Sequence, residues 1–212
     1  MPRISKEESD VRRNQVIDAC AELFRTQGYH ETTIAQIAAG VPFGRANIYN
    51  YFQNKDEVFL ALLRRENEQW AEQLATIRTE VETRRESPND ESLARALAAS
   101  VEERTPMLKL LATSIFDMEQ FSRPERLLEL KIAYKATVEQ LQALSSAAKP
   151  SWSAERVDRF VFAFLPLLHG VYPYAFHSDK QLTAMREAGI AAPDSGVHEL
   201  VYNAALALLQ SD

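Results

Sequence analysis

The stretch Gly44-Arg45-Ala46-Asn47-Ile48-Tyr49-Asn50-Tyr51-Phe52 decides the fold. In a helix over about residues 44–51, Ile48 and Phe52 fall one turn apart and can face a core. The polar side chains that can then face outward are Arg45, Asn47, Asn50 and Tyr51. Arginine suits the O6 and N7 atoms of guanine, and asparagine suits N6 and N7 of adenine. Tyrosine hydroxyls, here those of Tyr49 and Tyr51, suit phosphate oxygens. The pattern is typical of a helix that enters the major groove of DNA.

The residues before this stretch predict two further helices. Val16, Ile17, Cys20 and Phe24 form one apolar stripe, which predicts a helix over residues 10–27, and Gly28 follows as a candidate C-cap. Thr33-Ile34-Ala35-Gln36 matches a capping box at the start of a short helix that ends near Ala39. Gly40, Pro42 and Gly44 then break the chain. Two short helices packed on a longer one form a helix-turn-helix.

Lys55 lies in the first turn of the next helix, which Asn54 caps and whose apolar stripe runs to Val81. A cation there opposes the helix dipole, whereas a bound phosphate would reverse the sign of that effect. Two interpretations stay open, namely a phosphate contact and an exposed lysine without a role.

Thr32-Thr33-Ile34-Ala35-Gln36-Ile37-Ala38 and the run from Ile48 to Phe59 together resemble the TetR/AcrR family of bacterial regulators, over roughly residues 10–70. The candidate DNA-contacting residues at or beside the matching positions are Thr33, Gly44, Arg45, Asn47, Tyr49, Asn50, Tyr51 and Lys55. The turn departs from the family, which usually has Ala-Gly-Val-Ser where this chain has Val41-Pro42-Phe43-Gly44. Because Pro42 cannot adopt a positive φ, a different turn geometry is expected.

The rest of the chain has helical apolar periodicity and no alternating strand pattern. Further helices are predicted at about residues 90–103, 105–119, 123–146, 153–176, 179–188 and 195–210. We therefore expect an all-α fold of about nine to ten helices. A three-helix DNA-binding domain over residues 1–55 precedes a helical domain over residues 56–212, to which the family resemblance assigns ligand binding and dimerisation.

Charge and cysteine content bound the class of protein. The net charge is −6, yet residues 1–55 hold seven basic and six acidic side chains, which permits a local DNA-contacting face. The single Cys20 excludes an internal disulfide, and the first residues carry no apolar signal segment. Both observations favour a cytoplasmic location.

Residues 160–176 are apolar on every face, but the run is shorter than a membrane span and contains Pro166, Gly170 and Pro173. A helix that serves both a core and a subunit interface is the preferred interpretation. The last helix carries an apolar stripe without a remaining partner, so pairing with two-fold mates predicts a four-helix dimer interface. Its candidate residues are Val157, Phe160, Val161, Val197, Leu200, Val201, Ala204 and Leu208. Such a homodimer would bind half-sites about 34–36 Å or more apart on a pseudo-palindromic DNA operator.

Aromatic and methionine side chains in the second domain are candidates for an effector pocket. They are Trp70, Met107, Phe116, Met118, Tyr134, Phe164, His169 and Tyr172. The alternative is that they are simply core residues. His169 and Tyr172 are one turn apart and form the best polar pair to orient a ligand, against the alternative of a hydrogen-bonded core histidine.

An enzyme and a protein-binding adaptor are the competing function classes. The histidines show no metal-binding spacing, no glycine-rich phosphate loop is present, and Cys20 lies on an apolar stripe. No cofactor, metal or membrane is therefore expected. An adaptor would not need Arg45, Asn47 or Asn50. The preferred prediction is a DNA-binding repressor that a small, largely apolar molecule releases from its operator.

Overall fold

The computed structural model describes residues 5–84, 86–113 and 115–211, and every regular element in these ranges is an α-helix. The helices are α1 (Lys6–Thr26), α2 (Ile34–Ala39), α3 (Arg45–Ile48), α4 (Lys55–Thr83), α5 (Asp90–Glu102), α6 (Thr105–Leu111), α7 (Ile115–Gln120), α8 (Pro124–Ala148), α9 (Ala154–Ala175), α10 (Asp179–Glu187) and α11 (Val197–Gln210). The predicted all-α fold is confirmed.

The predicted helix at about residues 105–119 is in fact two helices, α6 and α7. Ala112 ends α6 with its N–H bonded to the carbonyl of Leu108, and the N–H of Ile115 bonds to the carbonyl of Thr113, only two residues earlier. Such a bond closes a tighter ring than the α-helical pattern allows, so the helix is interrupted there. Met107 and Met118 are both buried, so apolar residues continue on both sides of the break, and their spacing along the chain gave no sign of it.

The chain forms two compact units. The first contains the described residues up to Glu66 together with Thr113–Tyr134. Its core collects the apolar stripe of α1 with residues of α2, α3 and α4. The rings of Phe24 and Phe59 meet edge to face with centroids 5.3 Å apart, and Ile37 and Ile48 are fully buried.

The second unit contains Asn67–Ala112 and the described residues from Lys135 onward. Helix α11 packs on α5 and α9, and α6 packs on α9. The Trp70 indole donates from Nε1 to the Ser100 hydroxyl over 3.1 Å in its interior. This bond satisfies the one polar group of a large buried ring.

Among the described residues no single helix is long and apolar enough to cross a membrane. Helices α9 and α10 meet the length and composition criteria only as a pair, and the chain bends by 81° between them.

Candidate nucleic-acid interface

The turn between α2 and α3 is built without left-handed backbone. Thr33 and Gln36 form the predicted capping box, in which the Gln36 side chain accepts from the Thr33 N–H over 2.9 Å. Helix α2 ends at Gly40 with φ −91°, and Gly44 precedes α3 with φ −65°. Gly189 is the only described residue with a positive φ. Pro42 therefore fits the turn, and Gly28 does not form the left-handed C-cap expected after α1.

Helix α3 is shorter than predicted and forms a single turn over Arg45–Ile48. Tight turns continue the chain, since the N–H of Asn50 bonds to the carbonyl of Asn47, three residues earlier. Ile48 and Phe52 are both fully buried, which confirms the predicted inner face.

Helix α3 and the turn that follows it present polar side chains to solvent. Arg45, Asn47 and Asn50 are exposed, and Tyr49 is 47% exposed. The Arg45 guanidinium donates to the Tyr49 hydroxyl over 3.1 Å, which holds both side chains along one edge of the helix. Tyr51 is only 8% exposed, so the prediction that it faces outward is wrong. Tyr51 follows Ile48 by three residues, and its N–H bonds to the Ile48 carbonyl over 2.9 Å, so it lies on the same inner side as Ile48 and Phe52.

Thr33 and Gly44 are exposed beside this face, whereas Lys55 is half-buried. Its ammonium group donates to the carbonyl of Tyr29 over 2.8 Å and lies 4.2 Å from the centre of the Tyr29 ring. The Tyr29 hydroxyl in turn bonds to Asp56. Burial raises the pKa of Tyr29, and the bond to Asp56 adds to that shift. Lys55 is therefore not a free exposed lysine, because its ammonium group already has a protein acceptor. The phosphate contact of Lys55 stays a prediction.

Arg12 was not among the predicted residues. Its guanidinium lies 5.8 Å from the centre of the Phe43 ring, in the turn between α2 and α3, and pairs with Glu8 over 2.8 Å. The cation is thereby placed beside the turn. An arginine on the first helix gave no periodic signal that could identify this contact.

Glu57, also missed, is a fully buried carboxylate behind the exposed face. Its Oε1 accepts from Nε of Arg123 over 2.7 Å, and its Oε2 accepts from Nη2 of Arg123 over 2.7 Å and from the N–H of Gln53 over 2.8 Å. Burial alone would raise the pKa of Glu57, but these hydrogen bonds outweigh it and hold the pKa below its ordinary value. The signal available in the sequence was a charged residue directly before the uninterrupted apolar run 58–63.

The predicted pocket residues lie in both units, and their pocket role stays a prediction. Four of them are buried, as both a pocket and a core require: Trp70, Met107, Met118 and Phe164. Phe116 is 82% exposed because α7 turns Met118 inward in its place, and Tyr134 is 39% exposed. His169 is exposed, so it is not a core histidine, and Tyr172 is half-buried against the Phe176 ring.

The predicted interface residues need a correction. Five of the eight are buried inside the second unit: Val157, Phe160, Val161, Val197 and Val201. They belong to the core because α9 packs against α6 and α11 on that side. Leu200, Ala204 and Leu208 are half-buried. Because α9 is apolar on both sides, the spacing of its apolar residues could not show which side packs against the other helices of the same chain. The exposed side carries Phe162, Pro166, His169 and Tyr174.

Two family models match the chain in succession. Residues 16–62 match the bacterial regulatory proteins of the tetR family, and residues 64–210 match the tetracyclin repressor-like, C-terminal domain.

Curated relatives align over part of the chain. The HTH-type transcriptional repressor Rv1474c of Mycobacterium tuberculosis is 31% identical over 71 residues, which are 34% of this chain and 38% of the relative. The HTH-type transcriptional regulator HbdR of Aromatoleum sp. is 42% identical over 55 residues, 26% of this chain and 24% of the relative. The chain thus matches less than half of the length of these relatives.

Solved structures align over nearly the whole chain. A TetR transcriptional regulator from Rhodococcus sp. RHA1 has a TM-score of 0.57 at 14% identity, covering 96% of this chain and 98% of that one. The transcriptional regulator FadR from Bacillus subtilis, solved in complex with stearoyl-CoA, has a TM-score of 0.57 at 14% identity, covering 93% and 97%. At this identity the likeness shows the fold. One family model alone matches residues 64–210, which are well over half of the chain, and the chain therefore belongs to the TetR family of bacterial regulatory proteins.

Proposed function

We propose that the chain is a sequence-specific DNA-binding transcriptional regulator in the cytoplasm. It acts as a ligand-responsive repressor, with DNA binding assigned to residues 1–55 and effector binding and dimerisation to residues 56–212. The observation that carries the proposal is the division of α3 and the turn after it into a buried side and an exposed side. Ile48 and Phe52 anchor this segment in the core, while Arg45, Asn47 and Asn50 are exposed to solvent.

The exposed residues divide the work of recognition by their chemistry. Arg45 can donate to guanine in the major groove, and Asn47 and Asn50 can pair with adenine. Thr33, Tyr49 and the backbone at Gly44 can donate hydrogen bonds to phosphate, which would fix the register on the duplex. Lys55 keeps the carbonyl of Tyr29 as one acceptor and can offer a remaining proton to phosphate. Tyr51 contributes mainly by packing, since it is buried.

A homodimer formed through α9 and α11 supplies two such helices to a pseudo-palindromic operator. The exposed side of α9 carries Phe162 and Tyr174, which are 55% and 61% exposed in the single chain. The half-buried Leu200, Ala204 and Leu208 extend this apolar surface along α11. Large exposed apolar side chains on α9, next to half-buried apolar side chains on the adjacent α11, favour an isologous interface.

The effector is proposed to be a small, largely apolar molecule that lowers the affinity of the dimer for its operator. The complex of FadR with stearoyl-CoA gives one precedent, in this fold, for a ligand that carries a long apolar acyl chain. Release requires that the effector bind more tightly to a state with weaker operator affinity.

The test uses purified protein and fluorescent duplexes. Wild type selects a preferred duplex from a random library, and its affinity is then measured by anisotropy at several salt concentrations. We expect a steep negative dependence of affinity on salt. Asn47→Ala and Arg45→Ala should each weaken binding to the selected duplex by roughly 5- to 150-fold, as expected for loss of one base contact.

Arg186→Ala is the matched control for Arg45→Ala, because Arg186 is an exposed arginine on α10 and its removal changes the net charge by the same amount as removal of Arg45. It should leave the affinity near the wild-type value. Failure of wild type to bind any duplex at low salt would refute DNA recognition and favour the adaptor.

A further inference from the structure

The segment Thr113–Tyr134 lies in the sequence range that matches the C-terminal family domain, yet it packs in the same compact unit as the DNA-binding helices. Two of its arginines contact the turn that follows α3. The carbonyl of Tyr51 accepts from Nη2 of Arg123 over 3.2 Å and from Nη2 of Arg126 over 3.1 Å. One backbone oxygen, three residues after the end of α3, is thus held by two guanidinium groups.

A second tie joins the end of this turn to the same segment. The Asn54 side chain donates from Nδ2 to the carbonyl of Phe121 over 2.7 Å, and its Oδ1 accepts from the N–H of Glu57 over 3.0 Å. Asn54 therefore caps α4 and fixes the turn to the segment at once.

Arg126 is itself oriented by Glu129, which its Nη1 reaches over 2.6 Å. Glu129 also pairs with Arg13 of α1 and with Arg64 of α4. The arginine that holds Tyr51 is therefore fixed by a carboxylate bound to two other helices of the same unit. Charge-assisted hydrogen bonds of this kind are directional as well as strong.

Helix α3 needs such ties because it has only one turn. A helix of four residues has little packing surface of its own to define its angle, and Ile48 is its only buried residue. Base recognition requires side chains to be held within a fraction of an ångström of the bonding geometry.

We propose that Arg126, together with Arg123, is a positioning residue for operator recognition. The two arginines fix the turn after α3 so that Arg45, Asn47 and Asn50 approach the bases at one angle. The proposal rests on the proposed function and assigns a specificity role to residues outside the DNA-binding domain. Phosphate contacts tolerate a small rotation of α3, whereas base contacts do not, so the role lies in specificity rather than in overall DNA affinity.

The experiment measures the affinities of Arg126→Gln for the selected operator duplex and for a scrambled duplex of equal length. We expect the ratio of the two affinities to fall by about ten-fold, with the affinity for the scrambled duplex and its salt dependence close to those of wild type. Arg186→Gln is the charge-matched control and should keep the wild-type ratio. Arg126 is the better target because Arg123→Gln would leave the buried Glu57 without its cation and endanger folding.

A double-mutant cycle separates positioning from a merely structural role. If Arg126 positions α3, Asn47→Ala should cost less in the Arg126→Gln background than in wild type, because Asn47 no longer meets its base. Equal costs in both backgrounds, or parallel loss of affinity for both duplexes, would overturn the proposal. Arg126→Lys, which keeps the charge beside Glu129 without a planar guanidinium, gives the same readouts if the glutamine variant does not fold. A wild-type protein that binds no duplex would instead refute the proposed function.

Discussion

Trp70 and Ser100 are buried partners in the second unit, and their hydrogen bond leads to a prediction at the scale of single residues. Ser100→Ala leaves the indole N–H without its acceptor, which should lower the free energy of unfolding by about 1–3 kcal/mol. Chemical denaturation measures the change. Ser92→Ala makes the same substitution at an exposed site on α5 and should stay within about 0.5 kcal/mol of wild type. Equal effects of the two variants would contradict the assigned bond.

The buried carboxylate of Glu57 predicts how stability depends on pH. Its pKa is lowered in the folded state, so the unfolded chain takes up its proton first as the pH falls. The stabilisation from Glu57 is therefore complete above the ordinary glutamate pKa of about 4.3 and is lost as the pH falls toward the lower folded-state pKa. We expect wild type to exceed Glu57→Gln in free energy of unfolding at pH 7. The difference should shrink below about pH 4. A difference that stays constant down to pH 3 would be inconsistent with a charged Glu57.

At this scale the sequence predicted contacts that depend on local spacing and missed those that depend on distant partners. Ile48 and Phe52 were assigned to the core correctly because four residues make one helical turn. The pairing of Glu57 with Arg123 joins residues far apart in the chain, and no spacing rule connects them. Tyr51 was placed outside because its hydroxyl is polar, although its spacing of three residues from Ile48 already puts it on the inner side.

At the scale of elements, the start of α3 offers a stabilising substitution. Gly44 is the N-cap residue with no side-chain hydrogen bond, its φ of −65° suits any residue, and a Cβ there would meet nothing within 4 Å. Gly44→Ser should supply the missing acceptor. We expect it to be more stable than Gly44→Ala by about 0.5–2 kcal/mol, measured by chemical denaturation. Equal stability of the two variants would mean that the serine does not cap the helix.

Element boundaries were predictable where a local motif marks them. The capping box of Thr33 and Gln36 lies within four residues, so its sequence signature suffices, and α2 begins and ends as expected. The break between α6 and α7 and the buried side of α9 depend on which neighbours each helix meets. Apolar periodicity indicates that one side of a helix is buried, but it does not show which neighbouring helix covers that side. For this reason five residues of the core were assigned to the subunit interface.

At the scale of the whole molecule, the proposed dimer predicts the effect of one charge. Phe162→Arg places a cation in the centre of the exposed apolar side of α9, so sedimentation equilibrium should show a shift from dimer toward monomer. Operator affinity should fall with it, because the monomer presents a single recognition helix. Leu128→Arg is the matched control for the sedimentation measurement, since Leu128 is 60% exposed on α8 and outside the proposed interface. A dimer that survives Phe162→Arg and dissociates with Leu128→Arg would move the interface to α8.

Cys20 lies fully inside the first unit, and burial raises the pKa of its thiol to about 12. At neutral pH a maleimide should therefore react very slowly with Cys20 in the folded protein. The same thiol becomes reactive when unfolding exposes it to solvent. In the natural chain, the rate of Cys20 alkylation therefore measures local unfolding of the first unit, because the thiol reacts only when the interior of that unit becomes exposed. A cysteine introduced at an exposed position could carry a fluorophore, because the buried Cys20 would compete little for the label. DNA recognition and local unfolding could then be followed on the same molecule.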